Sequence, residues 1–244
     1  MSTSTIGVVG GMGPEATNRF MSLITAFTPA RRDQDHIPVI AFSNCAIPSR
    51  VDALNGDAES PLPEMIRTGR VLEQAGANFL TMPCNIAHHF IDELRCGVSV
   101  PVLDMIGCTI EFMLRELPDL KSVGILSATP THGLYSARLR ERDRVLIAPN
   151  GADQTRVMDA IYGPGGIKCG YIDKPAATFD QIAQNLLEQG ADVIVAACTE
   201  VSVALLERRP DYPFVDSMQV LAEESVQKAL SGFGLPVGTV GITG

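Results

Sequence analysis

LEQAGANFLTMPCN (72–85) and LEQGADVIVAACT (187–199) carry one pattern twice, separated by a single-residue gap. Each copy reads as the end of an amphipathic helix, a glycine turn, a buried strand, and then a cysteine followed by a polar residue. From Gly76 and Gly190 onward the spacing is a constant 114 residues, which pairs Cys84 with Cys198. Two further matches come in the same order. IGVVGG (6–11) pairs with VGILSA (123–128), and PVLDMI (101–106) with PFVDSM (213–218). A single match of this kind could arise by chance, but three in register define an internal repeat.

Around these anchors, short apolar runs alternate with longer amphipathic stretches. Strands are expected at 5–10, 38–43, 78–82, 100–103, 121–126, 145–148 and 192–196. Helices are expected at about 14–27, 61–75, 86–95, 106–116, 131–140, 177–189, 200–207 and 217–231. Alternation of this kind predicts βαβ units and parallel sheets covered by helices. The fold class is therefore α/β, with two similar doubly wound, flavodoxin-like halves related by a pseudo-two-fold axis. The expected divisions are 1–116 with Cys84, 117–229 with Cys198, and a C-terminal tail at 230–244. Ligands of open parallel sheets bind outside the carboxyl ends of the strands, so the site is expected in the cleft between the halves.

Composition narrows the function classes. The 244 residues carry a formal net charge of −9, which argues against a nucleic-acid or anionic-membrane surface. A small anion is still possible, because two cations in a pocket outweigh surface charge that salt screens beyond about 10 Å. No run approaches the roughly 20 apolar residues of a membrane span. The N-terminus MSTSTIGVVGGMG has no basic n-region. Six cysteines in a chain of this length do not form a compact disulfide framework. They are expected to be reduced, and the protein cytoplasmic.

A thiolate is the reactive form of cysteine, and a helix N-terminus favours the anion. Two thiols placed symmetrically suggest proton transfer: one deprotonates a carbon acid and the other reprotonates the opposite face, inverting the stereocentre. Other chemistries fit less well. There is no C-x-x-C redox motif. His88 lies four residues after Cys84, but Ser202 stands at the repeat-equivalent position, so zinc binding or a Cys-His hydrolase would leave Cys198 without a role. GVVGGMGPEAT (7–17) formally fits a dinucleotide fingerprint, yet the second strand ends in Ser43-Asn44 where an acidic residue would be required. The glycine loop is therefore read as a backbone anion site for a carboxylate.

GGMGPEAT (10–17), MPCNIAH (82–88), IYGPGGIKCG (161–170) and ACTE (197–200) together resemble the aspartate/glutamate racemase superfamily over nearly the whole chain. Within it they are most like the cofactor-independent aspartate racemases. The resemblance implies Cys84 and Cys198 as catalytic residues, no cofactor and no metal. It also implies a small dicarboxylic amino acid as substrate, and often a homodimer. Arg50 in Ile47-Pro48-Ser49-Arg50 and Lys168 in Gly166-Ile167-Lys168 match the positions that hold the two carboxylates, Arg as a fork and Lys as a point charge. Met12, Asn85, Ile86, Thr129 and Thr199 complete the expected substrate-binding set. Where the family commonly has threonine after Cys-Asn, this chain has Ile86, which offers no hydroxyl to a carboxylate. Glutamate racemase, maleate isomerase-like or decarboxylase-like chemistry, and a noncatalytic dicarboxylate-binding protein are the alternatives. Glu200 either orients an ammonium group or favours the helix dipole, and Asp104 and Asp216 are expected as helix caps.

Overall fold

The computed structural model describes residues 3–206, 208 and 210–231, so most of the expected tail at 230–244 lies outside the described residues. The chain is α/β with two parallel sheets. β1 (Ile6–Gly10), β2 (Val39–Ser43) and β3 (Phe79–Thr81) form the first sheet in the order β2-β1-β3. β4 (Ser122–Leu126), β5 (Val145–Ile147), β6 (Val193–Ala196) and β7 (Phe214–Asp216) form the second in the order β5-β4-β6-β7. The inner strands β1, β4 and β6 are almost entirely buried, whereas edge strands β2 and β5 are largely half-exposed or exposed. Burial on both faces explains why IGVVG and VIVA read as continuous apolar runs rather than as alternation.

The helices are α1 (Pro14–Phe27), α2 (Arg50–Asn55), α3 (Leu62–Gln74), α4 (Ile91–Gly97) and α5 (Met105–Glu116), followed by α6 (Thr131–Arg140), α7 (Gly151–Tyr162), α8 (Asp173–Glu188), α9 (Thr199–Leu205) and α10 (Ser217–Leu230). The longer helices α1, α3 and α8 bury an apolar stripe. α8 buries Phe179, Ile182, Ala183 and Leu186, each of the large side chains contributing about 1.5–3 kcal/mol. Gly76 and Gly190, the glycines of the repeat, both take positive φ just after α3 and α8. A residue with a Cβ is strained there, so these two glycines end their helices and turn the chain into the strand.

Some elements differ from the sequence reading. The run at 100–103 makes only an isolated bridge, Val102 to Leu80, although Leu80 N–H donates to Pro101 O and Leu103 N–H to Leu80 O. Its repeat mate, absent from the strand reading, forms the three-residue β7. α2 and α7 were also unread. α7 carries a legible start, since Asn150 caps it by accepting from Asp153 N–H, while only Val157, Ala160 and Ile161 mark a buried apolar stripe. Asp104 caps the start of α5, its Oδ1 accepting from Ile106 and Gly107 N–H at 3.1 and 3.0 Å. Asp104→Ala is expected to cost about 1 kcal/mol in denaturant unfolding.

The chain divides into two compact units that differ from the repeat halves. One holds the residues up to Cys108 together with the described part of α10 from Met218, and the other holds Thr109–Ser217. The last helix of the second half therefore belongs to the first unit. There Ala229 O accepts from Ser4 N–H, and the Lys228 ammonium lies 5.5 Å from the Phe79 ring centroid. No helix among the described residues is long and apolar enough to cross a membrane.

Candidate active site

In the first unit the loops after β1, β2 and β3 emerge at the carboxyl end of the sheet. The chain order reverses between β1 and β3, the position at which open α/β sheets bind ligands. The glycine loop after β1 is tightly held. Thr17 Oγ1 accepts from Gly11 N–H at 2.9 Å and donates to Gly13 O at 3.0 Å. Gly11 has φ +90°, and a Cβ there would lie 2.4 Å from the Asn44 backbone, so only glycine fits. Asn44 itself is buried: its amide donates to Thr68 and Glu64, and its Oδ1 accepts from Ala46 N–H. This ties the loop leading to Arg50 against the glycine loop.

Arg50 opens α2, and its guanidinium turns inward. Nη1 donates to Ile47 O and Pro48 O at 3.3 and 2.8 Å, and Nη2 to Met12 O at 3.3 Å. Its Nε is buried with no partner. In this geometry Arg50 braces the glycine loop through backbone carbonyls.

Cys84 follows β3 and is buried beside Val9, Met12, Ile47, Met82, Ile86 and Ala87. The sequence expectation of a helix opening directly at Cys84 is corrected. Asn85, also buried, caps a 3-10 turn at Ile86–Phe90, and α4 begins only at Ile91. Ile86 packs its side chain into the apolar cluster. His88 is buried. Its Nε2 accepts from Met105 N–H at 3.0 Å, which puts the ring proton on Nδ1, and Nδ1 donates to Cys84 O at 2.9 Å. The imidazole thus bonds to the backbone of Cys84 and to the start of α5.

In the second unit Cys198 is the N-cap of α9 and is buried. Its Sγ donates to Glu200 Oε2 at 3.1 Å, and Thr199 Oγ1 donates to the same oxygen at 3.2 Å. Glu200 Oε1 is paired with Lys168 Nζ, which also lies 5.5 Å from the Tyr162 ring centroid. Burial would raise the Glu200 pKa, but the Lys168 charge and hydrogen bond, with the Cys198 S–H, outweigh it and hold the carboxyl below its ordinary value. Burial first, then the Glu200 charge and hydrogen bond, push the Cys198 thiol well above its ordinary value. The expectation that a helix start would favour a Cys198 thiolate is therefore reversed: a two-turn helix offers little against a buried anion two residues away.

Ser202, the repeat mate of His88, makes the corresponding link with a shorter side chain. Its hydroxyl lies 3.5 Å from Cys198 O and 3.0 Å from Asp216 Oδ1. In the first unit histidine reaches the next helix start directly; in the second, serine reaches Asp216, the residue just before α10. The Ser202–Asp216 link is the part of the site that the sequence reading did not assign, and Glu200, read there as orienting an ammonium group or favouring the helix dipole, is found between the Lys168 ammonium and the Cys198 thiol. The signal for the link was present in the paired positions His88/Ser202 and Asp104/Asp216.

Thr129 is exposed after β4, where its carbonyl accepts from His132 N–H; the cap of α6 is Pro130, without a side-chain bond. Of the expected residues, then, Met12, Arg50, Cys84 and Ile86 gather in the first unit, with Asn85 following Cys84. Lys168, Cys198 and Thr199 gather around Glu200 in the second, and Thr129 makes none of these contacts. All six cysteines are free.

Comparison with known proteins agrees with this architecture. The chain is similar to the broad specificity amino-acid racemase RacX of Bacillus subtilis (strain 168), 27% identical over 93% of this chain and 98% of the relative. The Picrophilus torridus aspartate racemase superposes with a TM-score of 0.82 at 28% identity, covering 93% of this chain and 94% of that one. An aspartate racemase homologue from Pyrococcus horikoshii OT3 shares the fold, with a TM-score of 0.73 at 20% identity over 93% and 99% of the two chains. The family model for Asp/Glu/Hydantoin racemases matches residues 9–225, and the chain belongs to that family.

Proposed function

We propose that the protein is a cofactor-independent amino-acid racemase acting on aspartate, with Cys84 and Cys198 as its two acid/base groups. The observation that carries this reading is the recurrence of a buried cysteine just past a strand's carboxyl end in each unit, at repeat-equivalent positions. Membership of a racemase family and 28% identity to an aspartate racemase support it. One cysteine, as thiolate, takes the α-proton. The pair of electrons left on Cα spreads into the α-carboxylate, and the other thiol delivers its proton to the opposite face. The α-proton is weakly acidic, so the developing negative charge needs fixed donors. The loops carrying Met12, Asn85 and Thr199, with Arg50 and Lys168, are assigned to that task.

A second reading, broader specificity toward amino acids, is favoured by one feature of each unit. Lys168 is already paired with Glu200, and Ile86 makes the surroundings of Cys84 apolar. A side-chain carboxylate must then compete with Glu200 for Lys168. The similarity to a broad specificity racemase points the same way.

The test is incubation in D₂O with L- or D-aspartate, then with glutamate and a panel of neutral and basic amino acids, followed by NMR at Cα and chiral chromatography. The expected result is deuterium at Cα appearing together with the opposite enantiomer, fastest for aspartate. A faster neutral or basic substrate selects the second reading. Absence of exchange and inversion with every amino acid overturns both.

A further inference from the structure

Cys198 and Cys84 occupy equivalent places in the repeat, but their surroundings differ in charge. Cys84 sits among aliphatic side chains, with its carbonyl held by His88. Cys198 donates its S–H to a carboxylate that is itself paired with an ammonium group. The groups around Cys198 come from α9 and the elements near it, of which β6 is apolar throughout. The turn at Ile167–Cys169 supplies Lys168, α9 supplies Glu200 and Thr199, and β7 supplies Asp216 through Ser202. α8 contributes the apolar Phe179, Ile182 and Leu186 to the shared core. An ionised Cys198 would therefore place a buried anion beside Glu200, and only one ammonium group in this set faces the two of them.

We infer that Glu200, held as a carboxylate by Lys168, is a positioning residue that keeps Cys198 as the protonated member of the cysteine pair in the resting protein. This rests on the two-cysteine racemase reading. The two-cysteine mechanism needs one thiol and one base, so a thiol retained at Cys198 assigns the base for the first enantiomer to Cys84. The resting protein thus accepts the enantiomer whose α-proton faces Cys84. During turnover that proton passes to Cys84, the Cys198 proton passes to Cα, and a Cys198 thiolate remains beside Glu200 until the pair is reset. The opposite enantiomer requires that less favoured form from the start. Because a racemase has an equilibrium constant of one, kcat/KM must be equal in both directions. The bias therefore appears as a higher KM and an equally higher kcat for the second enantiomer.

The test is alkylation of the full chain by iodoacetamide across a neutral-to-alkaline pH series, with the Cys198 peptide quantified by mass spectrometry. It is run on wild type, Glu200→Gln and Glu200→Asp. Glu200→Gln is nearly isosteric and removes the charge, and it is expected to lower the Cys198 labelling midpoint by at least about one pH unit, a tenfold gain in thiolate near neutrality. Glu200→Asp keeps the charge and is expected to retain a midpoint near the wild-type one. Equal shifts in both variants would indicate local opening and overturn the inference, as would an unmoved midpoint in Glu200→Gln. In kinetics, Glu200→Gln is expected to shrink the KM difference between enantiomers by severalfold; an unchanged difference also overturns it. The labelling result does not depend on turnover, so a protein that racemises nothing would defeat the functional reading while leaving the Glu200 effect on Cys198 measurable.

Discussion

Cys84→Ala and Cys198→Ala are each expected to lower racemisation by about a hundredfold to ten-thousandfold, the range that positioned acid/base groups contribute. Loss of inversion alone would not separate two bases from one, so the informative measurement is deuterium exchange without inversion. Cys198→Ala keeps Cys84, which can still remove and return the proton on its own face. In D₂O this variant is expected to exchange Cα–H of one enantiomer while producing little of the other. Cys84→Ala is expected to show the opposite preference. Full activity in either variant would sink the two-base mechanism. Exchange of the same enantiomer by both variants would assign the two cysteines to one face, which inversion by a pair does not allow.

The second large effect is one of stability. His88→Ala removes the group that links Cys84 O to Met105 N–H, two bonds made by a buried ring. Two unsatisfied backbone groups at about 1–3 kcal/mol each, plus the cavity left by an imidazole, give an expected loss of about 3–5 kcal/mol in denaturant unfolding. Ser202→Ala in the other unit deletes a smaller side chain and is expected to cost about 1–2 kcal/mol. His88→Gln, whose amide can both donate and accept, is expected to restore part of the loss. A His88→Ala variant as stable as wild type would remove the imidazole from the scaffold and return it to consideration as a reactive group.

Much of this architecture is legible in the amino-acid sequence. The internal repeat paired the position of Cys84 with that of Cys198 and predicted parallel sheets, because buried parallel strands write themselves as continuous apolar runs bounded by glycine. α1 and the strands β1 to β6 were legible for the same reason: their apolar patterning and their start and stop residues are local. α2 was not, since six residues make less than two turns and show no period. Nor was the division of the chain, because an amphipathic stripe on α10 says that the helix is covered but not by which sheet.

The candidate site divides along the same line. The sequence by itself determined that two thiols and a glycine loop stand at strand ends, through spacing along the chain, and the family resemblance singled out Arg50 and Lys168. Only the tertiary structure decided what each side chain touches. Arg50 spends its donors on the carbonyls of Met12, Ile47 and Pro48, and Lys168 is committed to Glu200. Cys198, expected to gain from a helix start, instead donates to a carboxylate that burial makes strong. Charge partners come from residues far apart in sequence, 32 positions in the case of Lys168 and Glu200. Electrostatics inside a protein depends on distance and burial, and neither quantity is written in a linear pattern.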